Sequence, residues 1–134
     1  YEEYAYPVLK RIFDYTCPDP DLDCRYQHSD SAMGHLLPIL GRLSFTAVNF
    51  GPTVLIDQIR EYMPKTRIDG CISPMTLLSN DEERIITEVK RDCDMIKALG
   101  TRGLNIDAAG SVNFGTKLTS IRAAMYAVQK YGRY

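Results

Sequence analysis

The sequence of 134 residues predicts an α/β fold in which about four strand–helix units follow an N-terminal helix. Short apolar runs of strand length alternate with longer segments whose apolar residues recur every three or four positions, as on one face of a helix. This alternation implies parallel strands joined by right-handed crossovers. The predicted strands end near His28, Phe50, Ser73 and Gly110. Four such units amount to half of an eight-stranded (β/α)8 barrel of the TIM type.

The N-terminal helix is predicted over residues 1–16 and is followed by a turn. Its apolar residues form the stripe of an amphipathic helix, namely Ala5, Val8, Leu9, Ile12 and Phe13. Pro7 lies inside this pattern, so the regular helix starts or kinks near that residue. Residues 17–21 read CPDPD, which is the composition of a turn.

The first two strands are predicted over residues 24–28 and 45–50. Between them, residues 29–31 (Ser-Asp-Ser) can cap a helix over residues 32–42. After the second strand, Gly51 and Pro52 are expected to start a helix, because proline is tolerated at the first helical position. The buried face of that helix is predicted to carry Leu55, Ile59 and Tyr62.

The last two units begin with strands predicted over residues 67–72 and 104–109. Ser73 is expected to lead into a loop, and Asn80 is expected to cap the next helix with Glu83 reaching back to it. That helix carries Ile86, Val89, Cys93 and Ile96 and stops at Gly100. The closing helix is predicted over residues 117–134, capped by Thr116, with an apolar stripe of Leu118, Ile121, Met125 and Val128.

The composition restricts the class of protein. The net charge of −1, with acidic and basic residues intermixed, argues against a nucleic-acid surface or a polybasic membrane anchor. No apolar run reaches the ~20 residues that span a bilayer. The start resembles no secretory signal, and it lies inside a predicted helix without an initiator Met, which suggests a piece of a longer protein.

The four cysteines, Cys17, Cys24, Cys71 and Cys93, match no zinc-finger spacing. They favour free thiols in a reducing cytoplasm, although Cys17 and Cys24 could form a loop disulfide.

Polar residues follow each predicted strand and should converge at one end of the sheet, where α/β proteins place ligands. The set consists of His28, Ser29, Asp30, Asn49, Cys71, Ser73, Asp107, Ser111 and Asn113. His28 and Asp30 could bind a divalent metal such as zinc, or could form an acid–base pair. In the alternative interpretation His28 bonds a neighbouring strand end and Asp30 caps a helix. Ser111 lacks the G-x-S-x-G motif of a serine hydrolase.

Several stretches together resemble the C-terminal end of the uroporphyrinogen decarboxylase superfamily, which includes cobamide-dependent methyltransferases. Residues 70–78 (GCISPMTLL) resemble its G-N-x-D-P…L-L turn, and residues 80–89 (NDEERIITEV) resemble its acidic helix start. Residues 110–125 (GSVNFGTKLTSIRAAM) resemble the closing segment G-C/H-x-x-P-x-T-P-x-x-N-x-x-A-M. Upstream, residues 28–30 fall where the methyltransferases carry H-x-C.

The resemblance implies that residues 1–134 form the C-terminal part of a (β/α)8 barrel. In the thiol-dependent methyltransferases, zinc is held by a His and two Cys, and these positions hold His28, Asp30 and Ser111 here. In the decarboxylase, a His stands where this chain has Ser111. Other members demethylate methoxylated aromatics or methylamines and pass the methyl group to a corrinoid protein, and a chain that departs from both patterns fits such a member best.

Three hypotheses follow from the resemblance. The first is part of a corrinoid-dependent methyltransferase, with His28 and Asp30 catalytic or zinc-binding and with Asn49, Ser73, Ser111 and Asn113 orienting a small methylated substrate. Its partner would be a corrinoid protein. The second is a tetrapyrrole decarboxylase. The third is a half barrel that associates with itself through its open sheet edges and has no activity of its own.

Overall fold

The computed structural model describes residues 1–19 and 21–133. It contains one sheet of four parallel strands in the order β1-β2-β3-β4. The strands are β1 (Tyr26–Ser29), β2 (Ala47–Phe50), β3 (Arg67–Ile72) and β4 (Leu104–Ala108). The predicted α/β class and the parallel order of the strands are therefore confirmed, and the architecture is consistent with part of a TIM-type barrel.

Six α-helices are present in the described residues, and the longer ones alternate with the strands. They are α1 (Ala5–Thr16), α2 (Leu37–Leu40), α3 (Ile56–Tyr62), α4 (Pro74–Leu78), α5 (Glu82–Ala98) and α6 (Leu118–Tyr131). Short 3₁₀ turns over Gly34–Leu36 and Gly41–Leu43 flank α2. No helix in the described part of the chain has the length and apolar character needed to cross a membrane.

Apolar side chains on one face of the sheet pack against the helices. Val48, Phe50 and Ile68 join a cluster with residues of α2 and α3, and Ile72 and Ala108 join a second cluster with α5 and α6. Because side chains alternate along a strand, the opposite face carries the intervening residues. There Arg67 donates two hydrogen bonds of 2.9 Å to Asp69, and Asn105 donates a third of 2.7 Å. The hydrogen bonds from Arg67 lower the pKa of the Asp69 carboxyl.

The sheet is curved, so that the loops after its two edge strands meet. Asp30 follows β1 and Gly110 follows β4, yet a Cβ on Gly110 would stand 3.1 Å from Asp30 Oδ1. Gly110 has a φ of +134°, which L side chains rarely adopt, so this approach depends on glycine. The curvature brings residues from the whole width of the sheet to one place.

Apart from the start of α6, four helix starts differ from the sequence prediction, because local hydrogen bonds moved them. Residues 29–31 cap no helix: Ser29 lies in β1, and its hydroxyl accepts the Ser31 N–H at 3.2 Å. Gly51 and Pro52 precede α3, which begins only at Ile56, with the Leu55 N–H bonded to Gln58. The predicted loop after Ser73 is instead α4, and Ser73 caps it.

The fourth difference concerns α5, whose N-cap is Asp81 rather than Asn80. Asn80 adopts a φ of +56°, outside the helix, and its side chain bonds elsewhere. Tyr62, predicted to be buried on α3, is 39% exposed. The disulfide alternative is also wrong, because Cys17 and Cys24 are free thiols.

The closing helix exposes much of the apolar stripe that was predicted to be its buried face. Leu118 and Met125 are more than half exposed, whereas Ser120 and Ala127 are fully buried. Thr116 does not cap the helix, whose N-cap position is Lys117. The small residues allow α6 to pack closely against α5, and this contact decides which face is buried. The predicted turn residue Pro20 and the predicted helix end at Tyr134 lie outside the described residues.

Candidate functional site

A cleft of about 310 Å³ lies at the carboxyl ends of the strands. The segments that follow all four strands contribute to its wall, so it draws on the full width of the curved sheet. The lining residues are Asp30, Pro52, Ser73, Pro74, Met75, Ala109, Gly110, Ser111 and Asn113. Asp30 is the single charged residue among them, and no Arg or Lys lines this cleft.

The side chains of His28 and Asp30 form a close pair at the edge of the cleft. The His28 Nε2 atom lies 3.0 Å from Asp30 Oδ1, and the two side chains are 50% and 61% exposed. His28 lies in β1 and Asp30 directly follows the strand, two residues further along the chain. Asp30 lines the cleft, so a bound ligand can contact its carboxylate directly. The imidazole of His28 lies next to that carboxylate, at the edge of the cleft.

Ser73 and its neighbours form the wall after β3. The Ser73 hydroxyl accepts the Met75 N–H at 3.2 Å as the cap of α4. The Ser73 N–H donates to Glu88 Oε1 at 2.7 Å, which ties this wall to α5. No sequence pattern pointed to Glu88, because a glutamate on an amphipathic helix normally belongs to its solvated face.

Ser111 and Asn113 lie in the loop after β4, on the wall opposite Pro74 and Met75. Ser111 is exposed, and Asn113 Nδ2 lies 3.8 Å from Met75 Sδ. Four predicted site residues, Asp30, Ser73, Ser111 and Asn113, therefore share one cleft, and His28 touches it through Asp30.

Asn49 is not in this cleft, although it was predicted to orient substrate with the others. It is 4% exposed, and its Nδ2 donates to the Ala108 carbonyl at 3.3 Å. To reach β4 it passes over Gly70, where a Cβ would stand 3.4 Å from Nδ2. Its Oδ1 has no hydrogen-bond partner among the described residues.

Cys71 of β3 and Asp92 of α5 form a buried pair of ionisable side chains. The sequence alone did not predict that these two residues lie close together. Burial raises the pKa of the Cys71 thiol to about 12, and the nearby Asp92 charge adds to this effect. Burial also raises the pKa of the Asp92 carboxyl to about 6, while its hydrogen bonds with Arg91 oppose the rise. Cys71 has a φ of +97°, a strained value for a residue with a side chain. The thiol is neutral at physiological pH and is no nucleophile there.

His28 and Asp30 do not by themselves complete a metal site. Zinc in proteins takes three or four ligands. Among residues 1–19 and 21–133, no group of three or more His, Cys, Asp or Glu residues is placed to hold an ion.

Comparison with known protein families shows which family the chain belongs to. The family model described as uroporphyrinogen decarboxylase (URO-D) matches residues 1–131. The chain belongs to the uroporphyrinogen decarboxylase family. A search of curated proteins found no match. The resemblance seen in residues 70–78, 80–89 and 110–125 is thus confirmed at the level of the family. The parallel sheet of this URO-D family member is the fold expected of part of such a barrel.

Proposed function

We propose that this URO-D family chain is part of a corrinoid-dependent methyltransferase that acts on a small methylated substrate. The observation that carries the proposal is the character of the cleft. It combines neutral hydrogen-bonding side chains with one exposed His–carboxylate pair, and its lining contains no cation. Such a lining suits a neutral heteroatom that carries a methyl group and needs a proton to become a good leaving group.

The proposed role of His28 is general acid. When protonated, its imidazolium would be held by Asp30 through Nε2, which lies 3.0 Å from Oδ1, and would donate the Nδ1 proton to the heteroatom of a substrate that extends from the cleft to the imidazole. The bond between methyl carbon and heteroatom breaks, its electron pair stays on the heteroatom, and the proton from His28 neutralises the charge. The nucleophile that receives the methyl group would be the Co(I) centre of a corrinoid carried by a partner protein.

Ser73, Ser111 and Asn113 are proposed to orient the substrate. They stand on opposite walls of the cleft, and the amide and hydroxyl groups of the loop residues can bond a heteroatom directly. The Ser73 hydroxyl already accepts a hydrogen bond from the Met75 N–H, and its own O–H can donate a hydrogen bond to the substrate. Asn49 would act only indirectly, through the Ala108 carbonyl at the start of the same loop.

A zinc ion at His28 and Asp30 is an alternative way to polarise the heteroatom. It requires further ligands from outside the described residues, because the pair supplies two donors. Metal analysis of the purified full-length enzyme and of its His28→Ala variant distinguishes the two routes. About one zinc per chain, lost in the variant, would support the metal route, whereas equal and negligible zinc in both would support acid catalysis.

Decarboxylation of a tetrapyrrole is the second candidate, and the description of the family favours it. Uroporphyrinogen carries many carboxylates, which a decarboxylase must hold with cationic side chains. Among the described residues the cleft offers Asp30 and no Arg or Lys, so the cations that hold such a substrate would have to come from the other half of the barrel. We also propose that the chain is a fragment of a longer enzyme and has no turnover alone, because four strands supply half of a barrel.

The two candidate reactions are separated by testing both on the full-length enzyme. One assay follows methylation of cob(I)alamin by a panel of methoxylated aromatics and methylamines, and the other follows saturable binding of a porphyrinogen. Methyl transfer without porphyrinogen binding supports the proposal. Saturable porphyrinogen binding and carbon dioxide release, without methyl transfer, would overturn it in favour of the decarboxylase.

A further inference from the structure

Asn80 connects the start of α5 to the loop that closes the candidate cleft. Its Oδ1 accepts two hydrogen bonds of 2.8 Å, one from the Lys117 N–H and one from the Ser120 hydroxyl. Its Nδ2 donates to the Gly115 carbonyl at 3.1 Å. One side chain thus makes three bonds to a segment that lies 35 to 40 residues away in the sequence.

The bonded segment is the C-terminal end of the loop that carries Ser111 and Asn113. The N-terminal end of this loop is fixed by β4, where the Ala109 N–H bonds the Ile72 carbonyl at 2.7 Å. Between the two ends, the Thr116 N–H bonds the Asn113 carbonyl at 3.1 Å and forms a turn. Asn80 therefore contacts the loop from outside and fixes the position of its far end relative to the cleft.

The surroundings leave little freedom for this end of the loop to shift. Gly115 has a φ of +97°, and a Cβ there would stand 3.3 Å from Leu78 Cδ1. Ser120, whose hydroxyl donates one of the bonds to Asn80 Oδ1, is fully buried, so the Asn80 side chain is itself held in place. A displaced loop would leave the Lys117 N–H without its Asn80 acceptor and the Gly115 carbonyl without its Asn80 donor, and this cost keeps the loop in one position.

We infer that Asn80 is a positioning residue of the candidate site, which sets where Ser111 and Asn113 stand in the cleft. The inference rests on the proposed function, because it assigns these two side chains to substrate orientation. Asn80 does not touch the cleft itself and acts through the loop. Its backbone at φ +56° suits asparagine, aspartate or glycine, so side chain and backbone can be separated by mutation.

The first arm of the test is amide hydrogen exchange of the purified chain. Asn80→Gly keeps the backbone conformation and removes all three bonds, and we expect the Lys117 amide to exchange roughly tenfold faster or more. Asn80→Asp keeps the oxygen acceptors and should retain most of the protection. The control is Asp81→Ala, which removes the cap of α5 and leaves the loop contacts intact. Equal acceleration in the loop of Asp81→Ala and Asn80→Gly would overturn the inference, since it would reflect general destabilisation.

The second arm is steady-state methyl transfer by the full-length enzyme. Asn80→Gly should raise KM for the methyl donor several-fold, with a pH profile unchanged from wild type, because His28 and Asp30 are not moved. Asn80→Asp should restore KM. Faster exchange with an unchanged KM would also overturn the inference. A wild-type enzyme without methyl transfer contradicts the proposed function alone, and the exchange arm then still decides whether Asn80 holds the loop.

Discussion

At the residue scale, the clearest physical consequence belongs to Asp92, whose side chain is 1% exposed. Burial raises the pKa of its carboxyl from 3.8 to about 6. Between about pH 4 and pH 6 the folded protein therefore keeps a proton that the unfolded chain has lost. The free energy of unfolding falls as the pH rises through this window. Above it, the ionised buried carboxylate costs about 3 kcal/mol, which is the value of a shift of roughly two pH units.

The variant Asp92→Asn should remove this dependence. We expect it to raise the free energy of unfolding at pH 7.5 by about 1–3 kcal/mol and to flatten its slope between pH 4 and pH 6. Urea unfolding at a series of pH values measures both. The matched control is Asp94→Asn, because Asp94 lies on the same helix, is 52% exposed and pairs with Lys90. A slope in Asp92→Asn equal to that of wild type would show that another group titrates.

The residues that sequence reasoning placed correctly were those whose role follows from position along a strand. Asp30 follows β1, and Ser111 and Asn113 follow β4, so the convergence of strand ends brought these three side chains to one cleft, with His28 beside Asp30. Asn49 shows the limit of this reasoning. Its distance from the cleft depends on Gly70, which leaves room for its amide to cross β3. Long-range contacts of this kind leave no local pattern in a sequence.

At the element scale, strands were predicted better than helix boundaries. Strand β3 was predicted over its full extent, residues 67–72, because a buried strand is marked by its own apolar residues. Helix starts depend on competing hydrogen bonds. Ser73 and Asp81 act as caps, whereas Asn80 turns its side chain toward another loop. The composition of these segments is compatible with either arrangement.

Helix α6 provides a test of which face is buried. Ala127 is fully buried against the second core cluster, and Met125 is 57% exposed. We expect Ala127→Leu to lower the free energy of unfolding by about 1–3 kcal/mol through overpacking. Met125→Gln should change it by about 0.5 kcal/mol or less, as is usual at the surface. Urea unfolding of dilute monomeric protein measures both. A larger loss of unfolding free energy in Met125→Gln than in Ala127→Leu would show that the apolar stripe of Leu118, Ile121, Met125 and Val128 is the buried face after all.

At the scale of the whole molecule, the sheet has two edges without a strand partner in the described residues. Beside β4 an apolar groove of about 350 Å³ runs along α6, and Ile106, Ile121, Met125 and Val128 line it. Parallel sheets are normally covered on both faces, and open edges pair readily with other chains. The separated chain is therefore expected to associate with itself.

Sedimentation velocity over a range of concentrations measures this association. Ile106→Lys places a charge in the groove and should shift the chain toward monomer, since lysine at a sheet edge opposes pairing. Val8→Lys is the control, because Val8 is also exposed but lies on α1, away from β4. Circular dichroism checks that each variant is folded. Association that is equally strong in the folded Ile106→Lys variant would show that the β4 edge is not the contact.

The central claim is that His28, held by Asp30, protonates the substrate heteroatom during methyl transfer. The most direct measurement is kcat for cob(I)alamin methylation by the full-length enzyme and by its His28→Ala variant. His35→Ala is the matched control, since His35 is exposed and lies outside the cleft. We expect His28→Ala to lower kcat by about 10²–10⁴-fold, the usual contribution of a general acid. His35→Ala should retain wild-type activity. Methyl transfer at the wild-type rate in His28→Ala would contradict the assignment of the site.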